Sequence, residues 1–107
     1  MSFDAKMQVT EGVATIRLSG ELNSGSAQKF NELITDATSQ QIRELVLLAE
    51  DLTYMSSAGL RSLVFAHQRM PRGTKIVLIG AQPDVAKTVT LTGFDRSIDM
   101  QEAAKTQ

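Results

Sequence analysis

Residues 44–60 read Glu-Leu-Val-Leu-Leu-Ala-Glu-Asp-Leu-Thr-Tyr-Met-Ser-Ser-Ala-Gly-Leu. The first half carries a continuous apolar run, Leu45 to Ala49. Helical spacing then returns with Leu60, Leu63, Val64 and His67 on one stripe, stopped by Met70-Pro71-Arg72-Gly73. A short apolar run flanked by helices fits a buried parallel strand better than an exposed antiparallel one. Glu50 to Ser57 reads as a polar-apolar loop joining strand to helix.

Upstream, Ala27, Phe30, Ile34 and Ala37 recur at spacings of three and four, which marks one helix face. Asn23 or Ser24 is placed to cap that helix, since a short polar side chain accepts from an orphan backbone N–H. Before it, Met7 and Val9 alternate, Glu11-Gly12 marks a tight turn, and Ala14, Ile16 and Leu18 resume the alternation up to Gly20. Two such runs around a Gly turn predict a β-hairpin. Downstream, Ile76 to Ile79 is a second β-branched strand closed by Gly80, and Pro83-Asp84 opens a third helix. That helix turns Val85 and Val89 inward, with Ala86 beside them, and ends near Thr92-Gly93. Phe94 is placed as a core plug, Ser97 to Met100 as a short last strand, and the tail from Gln101 as weakly helical. Strands alternating with helices imply an α/β fold with a mainly parallel sheet and right-handed crossovers.

The chain has 107 residues, a length that suits one domain, and a formal net charge of −1. That balance argues against an electrostatic nucleic-acid binder. With 42% hydrophobic and 21% charged residues it reads as an ordinary soluble globular chain, and no apolar run reaches the ~18 residues of a membrane span. There is no cysteine, hence no disulfide, thiolate metal site or thiol nucleophile, and a single histidine. No carboxylate pair sits at a spacing that shares a metal with His67, and Glu50-Asp51 reads as a solvated acidic pair. Ser57 and His67 lie ten positions apart on one expected helix, about 15 Å along its axis. A general base must reach its nucleophile, so a serine hydrolase is disfavoured. Gly20 and Gly25 do not form a phosphate-cradling glycine cluster, which also disfavours a nucleotide-binding protein. These residues point away from an enzyme.

What remains is the junction from Leu52 to Leu60. Ser56 and Ser57 fall where the helix begins, so one can cap it while the other offers its hydroxyl to solvent. Backbone N–H groups and the positive end of the helix dipole converge there, which suits a phosphate. Ala58 and Gly59 leave the first turn bare of bulk, so another protein could approach the backbone. Leu52, Tyr54 and Met55 add an apolar approach. Serines cap any helix, however, and Ala-Gly also suits tight helix–sheet packing. The residues alone leave both readings open.

The run Tyr54-Met55-Ser56-Ser57-Ala58-Gly59-Leu60 resembles the signature of STAS domains, in particular the bacterial anti-sigma factor antagonists. The usual form there is an aromatic, methionine, aspartate, serine, a small residue, glycine and leucine. Gly20-Glu21-Leu22-Asn23 resembles that family's Gly-Glu-Leu-Asp, and Lys75 to Gly80 followed by a helix and Thr92-Gly93-Phe94 match the rest. The resemblance implies a single STAS domain over 1–107. Its sheet would be mixed and mainly parallel, with four to five strands, an N-terminal β-hairpin and three to four helices. It implies a cytoplasmic, non-enzymatic phosphoprotein without metal or cofactor, acting in signal transduction and transcription regulation. The implied partner is an anti-sigma factor serine-protein kinase of the GHKL type, or a related switch protein. The kinase would phosphorylate Ser57, or alternatively the adjacent Ser56, and so release itself; a PP2C-type phosphatase would reverse this. Neither nucleic acid nor membrane is an expected partner. The contact is expected to use Asn23, Ser24, Tyr54, Met55, Ser56, Ala58, Gly59 and Leu60. Three family aspartates are replaced, by Ser56, Asn23 and Leu48. Their loss opens an alternative, a constitutive STAS scaffold subunit that needs no modification.

Overall fold

In the computed structural model, which describes residues 3–102, the order of elements is β1 (Asp4–Thr10), β2 (Val13–Leu22), α1 (Ala27–Thr38), β3 (Glu44–Met55), α2 (Ser57–Arg69), β4 (Lys75–Ile79), α3 (Pro83–Leu91), a 3₁₀ turn (Phe94–Arg96) and β5 (Asp99–Gln101). The five strands form one sheet in chain order, β1-β2-β3-β4-β5. Among the described residues, only the opening hairpin is antiparallel. Its turn needs positive φ at both central residues, and Glu11 (53°) and Gly12 (82°) supply it. The fold class expected from the sequence is the one observed. A helix expected beyond Gln101 falls largely outside the described residues.

Strands laid down in sequence order by same-handed crossovers bring every helix to one face of the sheet. The core lies between that face and the helices. It takes Ala14, Ile16 and Leu18 from β2, Leu45, Leu47 and Ala49 from β3, and Ile76 and Leu78 from β4. Phe30, Ile34 and Ala37 of α1, Leu63 and Ala66 of α2, and Val85 and Val89 of α3 close over them. The run Leu45–Ala49 is therefore parallel but not buried throughout. Val46 and Leu48 turn to the helix-free face and stay half exposed.

Other expectations need correction. The segment from Glu50 to Met55 is strand, not loop. The register between β2 and β3 slips twice, at Arg17/Ser19 and at Gly20/Glu21, and each slip adds one residue to β3. Each added residue delays the return to the core, so Leu52 and Met55 follow Ala49 at intervals of three rather than two. The alternation is lost to the eye although pairing continues. For the same reason β2 does not end at Gly20 but runs on to Leu22, with Gly20 at φ 86° beside the second slip. On α2 the inward stripe is Gly59, Leu60, Ser62, Leu63 and Ala66. Val64 is half exposed, and His67 is exposed with its ring edge-on to Phe94, centroids 5.9 Å apart. Phe94 packs at the margin of the core, and Ile98 is the buried residue of that segment. Among the described residues, no helix is long and apolar enough to cross a membrane.

Candidate functional site

The ends of β2 and β3 carry the site. Leu22 pairs with Met55, the last residue of β3, and both side chains are buried. The Ser56 N–H donates to the Leu22 carbonyl at 2.9 Å, which extends the ladder one step and stops the strand. Ser56 is still extended (φ −85°, ψ 177°), and α2 starts at the next residue. One residue thus separates strand from helix, and it is the N-cap. Its Oγ accepts from the Gly59 N–H at 3.2 Å, and its carbonyl accepts from the Leu60 N–H at 2.9 Å. Ser57 is left as the first helical residue, exposed to solvent.

Gly59 has a packing reason. A Cβ built on it would sit 2.5 Å from the Leu22 carbonyl oxygen, 2.9 Å from Leu22 Cγ and 3.1 Å from Met55 Cγ. The first turn of α2 rides directly on the ends of β2 and β3, and only glycine allows that approach. Gly59 is therefore not a bare backbone offered to another protein. Met55 (3% exposed) and Leu60 (8%) are likewise buried. These three, expected at a contact, support the surface from beneath. Of the apolar residues before the helix, Leu52 is buried and Tyr54 is open, with 49% of its surface exposed.

The β2–α1 loop lies beside this junction. Its helix cap is Ser26, not Asn23 or Ser24. Asn23 makes a turn of its own, its Oδ1 accepting from the Gly25 N–H at 2.9 Å. Ser26 Oγ accepts from the Asn23 N–H at 2.9 Å and donates to the Glu21 carbonyl at 2.8 Å, which ties the loop to the end of β2. Ser24 stays exposed. Between α1 and α2 runs a groove of about 320 Å³ lined by Ser24, Ala27, Asn31, Ala58, Arg61, Ser62 and Phe65. Asn31 Oδ1 is buried without a hydrogen-bond partner. Ser24 and Ala58 were expected here. Asn31, Arg61 and Phe65 were not, because they lie off the inward stripes that periodicity marks. The available signal is charge: from Leu52 to Pro83 the sequence has no acidic residue, yet it holds Arg61, Arg69, Arg72 and Lys75.

Leu48, counted with Asn23 and Ser56 as a replaced carboxylate of the site, is elsewhere. It sits mid-strand opposite Arg17 on the helix-free face, roughly 20 Å along β3 from Met55. Among the described residues, no three His, Asp or Glu side chains converge as ligands for a metal would. What the junction offers is an exposed serine in the first turn of α2 next to a groove-lining residue, and an exposed tyrosine near the end of β3.

A family model for the STAS domain matches residues 4–106. Among solved structures, an anti-sigma factor antagonist from Mycobacterium paratuberculosis superposes with a TM-score of 0.86 at 20% identity, over 94% of this chain and 86% of that one. The Bacillus anti-sigma factor antagonist SpoIIAA is similar in both its forms. Unphosphorylated, it gives 0.81 at 23% identity over 97% and 90% of the two chains. Phosphorylated, it gives 0.74 at 22% over 97% and 93%. The STAS domain of a SulP transporter from Vibrio cholerae gives 0.70 at 18%, over 90% and 77%.

Proposed function

The chain belongs to the STAS domain family, and on that premise we propose that it is a cytoplasmic, non-enzymatic anti-sigma factor antagonist that acts by partner switching. In this reading it binds an anti-sigma factor serine kinase while Ser57 is free, and phosphorylation of Ser57 dissociates the pair. A PP2C-type phosphatase resets it. The observation that carries the reading is the position of Ser57: exposed, at the first helical residue, and next in the chain to Ala58, which lines an open groove. Ser56 is the weaker acceptor, because it is half-buried and its Oγ is engaged by the Gly59 N–H.

The physics of release is simple. A phosphate adds about −1.5 to −2 charge and three acceptor oxygens where the surfaces must desolvate. Burying that charge unpaired costs several kcal/mol, and each ~1.4 kcal/mol is a tenfold loss of affinity. The test is titration of the kinase with the wild type, Ser57→Ala and Ser57→Asp. The Ala variant should bind as the wild type does, and the Asp variant at least tenfold more weakly. Equal binding by the Asp variant would end the proposal.

A constitutive scaffold role is the second reading. Its support is the replacement of family aspartates by Asn23 and Ser56 at the junction, together with the likeness to a transporter's STAS domain. Incubation with kinase and ATP, read by intact mass, separates the two: one phosphate mapped to Ser57 supports the switch, and no gain beside a phosphorylated control antagonist supports the scaffold.

A further inference from the structure

Arg61 is the one charged side chain among the residues lining the α1–α2 groove. It stands one helical turn after Ser57, at i+4, and like Ser57 it is exposed. Of the other cations between Leu52 and Pro83, Arg72 lies beyond the far end of α2 and the remaining two are engaged. Arg69 lies over the Phe65 ring at 5.4 Å, and Lys75 pairs with Asp99 at 3.6 Å. Arg61 has no salt-bridge partner among the described residues.

We infer that Arg61 receives the phosphate carried by Ser57, so that modification withdraws the groove's charge from the partner as well as adding its own. The inference rests on the reading of Ser57 as the modified residue. Three observations support it. First, side chains at i and i+4 face each other about 5–6 Å apart, and the favourable order places the anion N-terminal to the cation. Second, a guanidinium matches a phosphate with two parallel hydrogen bonds. Third, the helix end cannot satisfy the phosphate alone. The Gly59 N–H is already taken by Ser56 Oγ and the Leu60 N–H by the Ser56 carbonyl, which leaves Ser57 and Ala58 as the free donors of the first turn. No acidic side chain competes from the same segment. The carboxylate brought nearest by strand register is Glu21, opposite Tyr54.

Two consequences follow for binding. An unmodified chain presents a cation at the mouth of the groove, so the complementary partner surface carries a carboxylate there. A modified chain presents in its place an ion pair with a net charge of about −0.5 to −1. Phosphorylation then removes an attraction in addition to adding a repulsion.

The test needs no partner. Phosphoserine is installed at position 57 during synthesis of the full chain, and its second ionisation is followed by phosphorus NMR, starting from a pKa of about 6. The titration is repeated with Arg61→Gln and Arg69→Gln. The expected result is a pKa in the wild type about half a unit below that in Arg61→Gln, with Arg69→Gln matching the wild type. If Arg61→Gln titrates with the wild type, or if Arg69→Gln moves the pKa as far as Arg61→Gln does, the assignment is wrong. Because the phosphate is installed rather than added by a kinase, failure of Ser57 to be phosphorylated would defeat the proposed function without altering this result.

Discussion

Helices α2 and α3 both start where a parallel strand ends, at the same edge of the sheet, yet their first turns are built in opposite ways. In α3 the cap is Gln82, whose side chain makes no capping bond, followed by Pro83 and Asp84. Proline needs no N–H partner there, and the aspartate meets the positive end of the helix dipole with a charge of its own. The third helical residue is Val85, wholly buried. In α2 the cap is Ser56 with a side-chain bond, the first turn holds no acid, and the third helical residue is Gly59. So α3 is seated by an apolar side chain and finished electrostatically. By contrast, α2 is seated by direct backbone approach, and its dipole is left for something else to meet. The turn that lacks a charge of its own is the turn with an exposed serine.

The sharpest way to break this contrast is to exchange the third residues. Gly59→Val forces a branched side chain where even a Cβ lies 2.5 Å from a backbone carbonyl oxygen, and that carbonyl already accepts the Ser56 N–H. Val85→Gly opens a void in the core and adds the conformational entropy of glycine. Each is expected to destabilise by about 3 kcal/mol, a large share of what a domain has, read as a fall in denaturant midpoint. The causes are separable. Under pressure Val85→Gly should unfold with a larger volume change than the wild type, and Gly59→Val should not, because unfolding eliminates a cavity only in the first. If Gly59→Val is tolerated, α2 does not ride on the strands as described.

How far the sequence disclosed this contrast depends on which physical signal each half emits. Proline and aspartate at the start of α3, and Val85 and Val89 after them, are legible because composition and period agree. The core faces of β1, β2 and α1 are legible for the same reason. The serine pair was also legible, but its division of labour was not. Which of Ser56 and Ser57 caps depends on where β3 stops, and two register slips hid that β3 continues through Leu52 to Met55. Gly59 stood out as a helix glycine without a local reason. The reason is Leu22, thirty-seven positions earlier in the chain and invisible to any periodicity. The groove residues Asn31, Arg61 and Phe65 project from between the inward stripes of two helices, so they become a site only when α1 and α2 are placed side by side. The cap of α1 lies two or three positions beyond the one expected, because Asn23 closes a turn of its own before Ser26 begins the helix.

A milder perturbation tests the caps. Ser56→Ala removes the acceptor of the Gly59 N–H and is expected to lower stability by about 1 kcal/mol. Gln82→Ala loses no capping bond, only the exposed bond that its Nε2 donates to the Glu50 carbonyl at 2.9 Å, and should cost no more than about 0.5 kcal/mol. Amide hydrogen exchange offers a local reading. The Gly59 amide should exchange faster in Ser56→Ala, while the Val85 amide is unchanged in Gln82→Ala. Equal losses for the two variants would mean that the side-chain cap contributes little and that α2 is held by its packing alone.

The smallest expected effect separates folding from binding. Placing an acid at the start of α2 makes it electrostatically like α3, where Asp84 already plays that part. Ser57→Asp should therefore stabilise the isolated protein by about 0.3–1 kcal/mol, and added salt should erode the gain. Asp84→Asn should lose a similar amount from α3, again in a salt-dependent way. Under the proposed function the same Ser57→Asp variant binds its kinase at least tenfold more weakly. A substitution that raises the thermal midpoint and abolishes binding cannot owe the lost binding to unfolding. The opposite pairing, lower stability with unchanged affinity, would show that the hydroxyl of Ser57 serves the fold and that its exposure has no bearing on a partner.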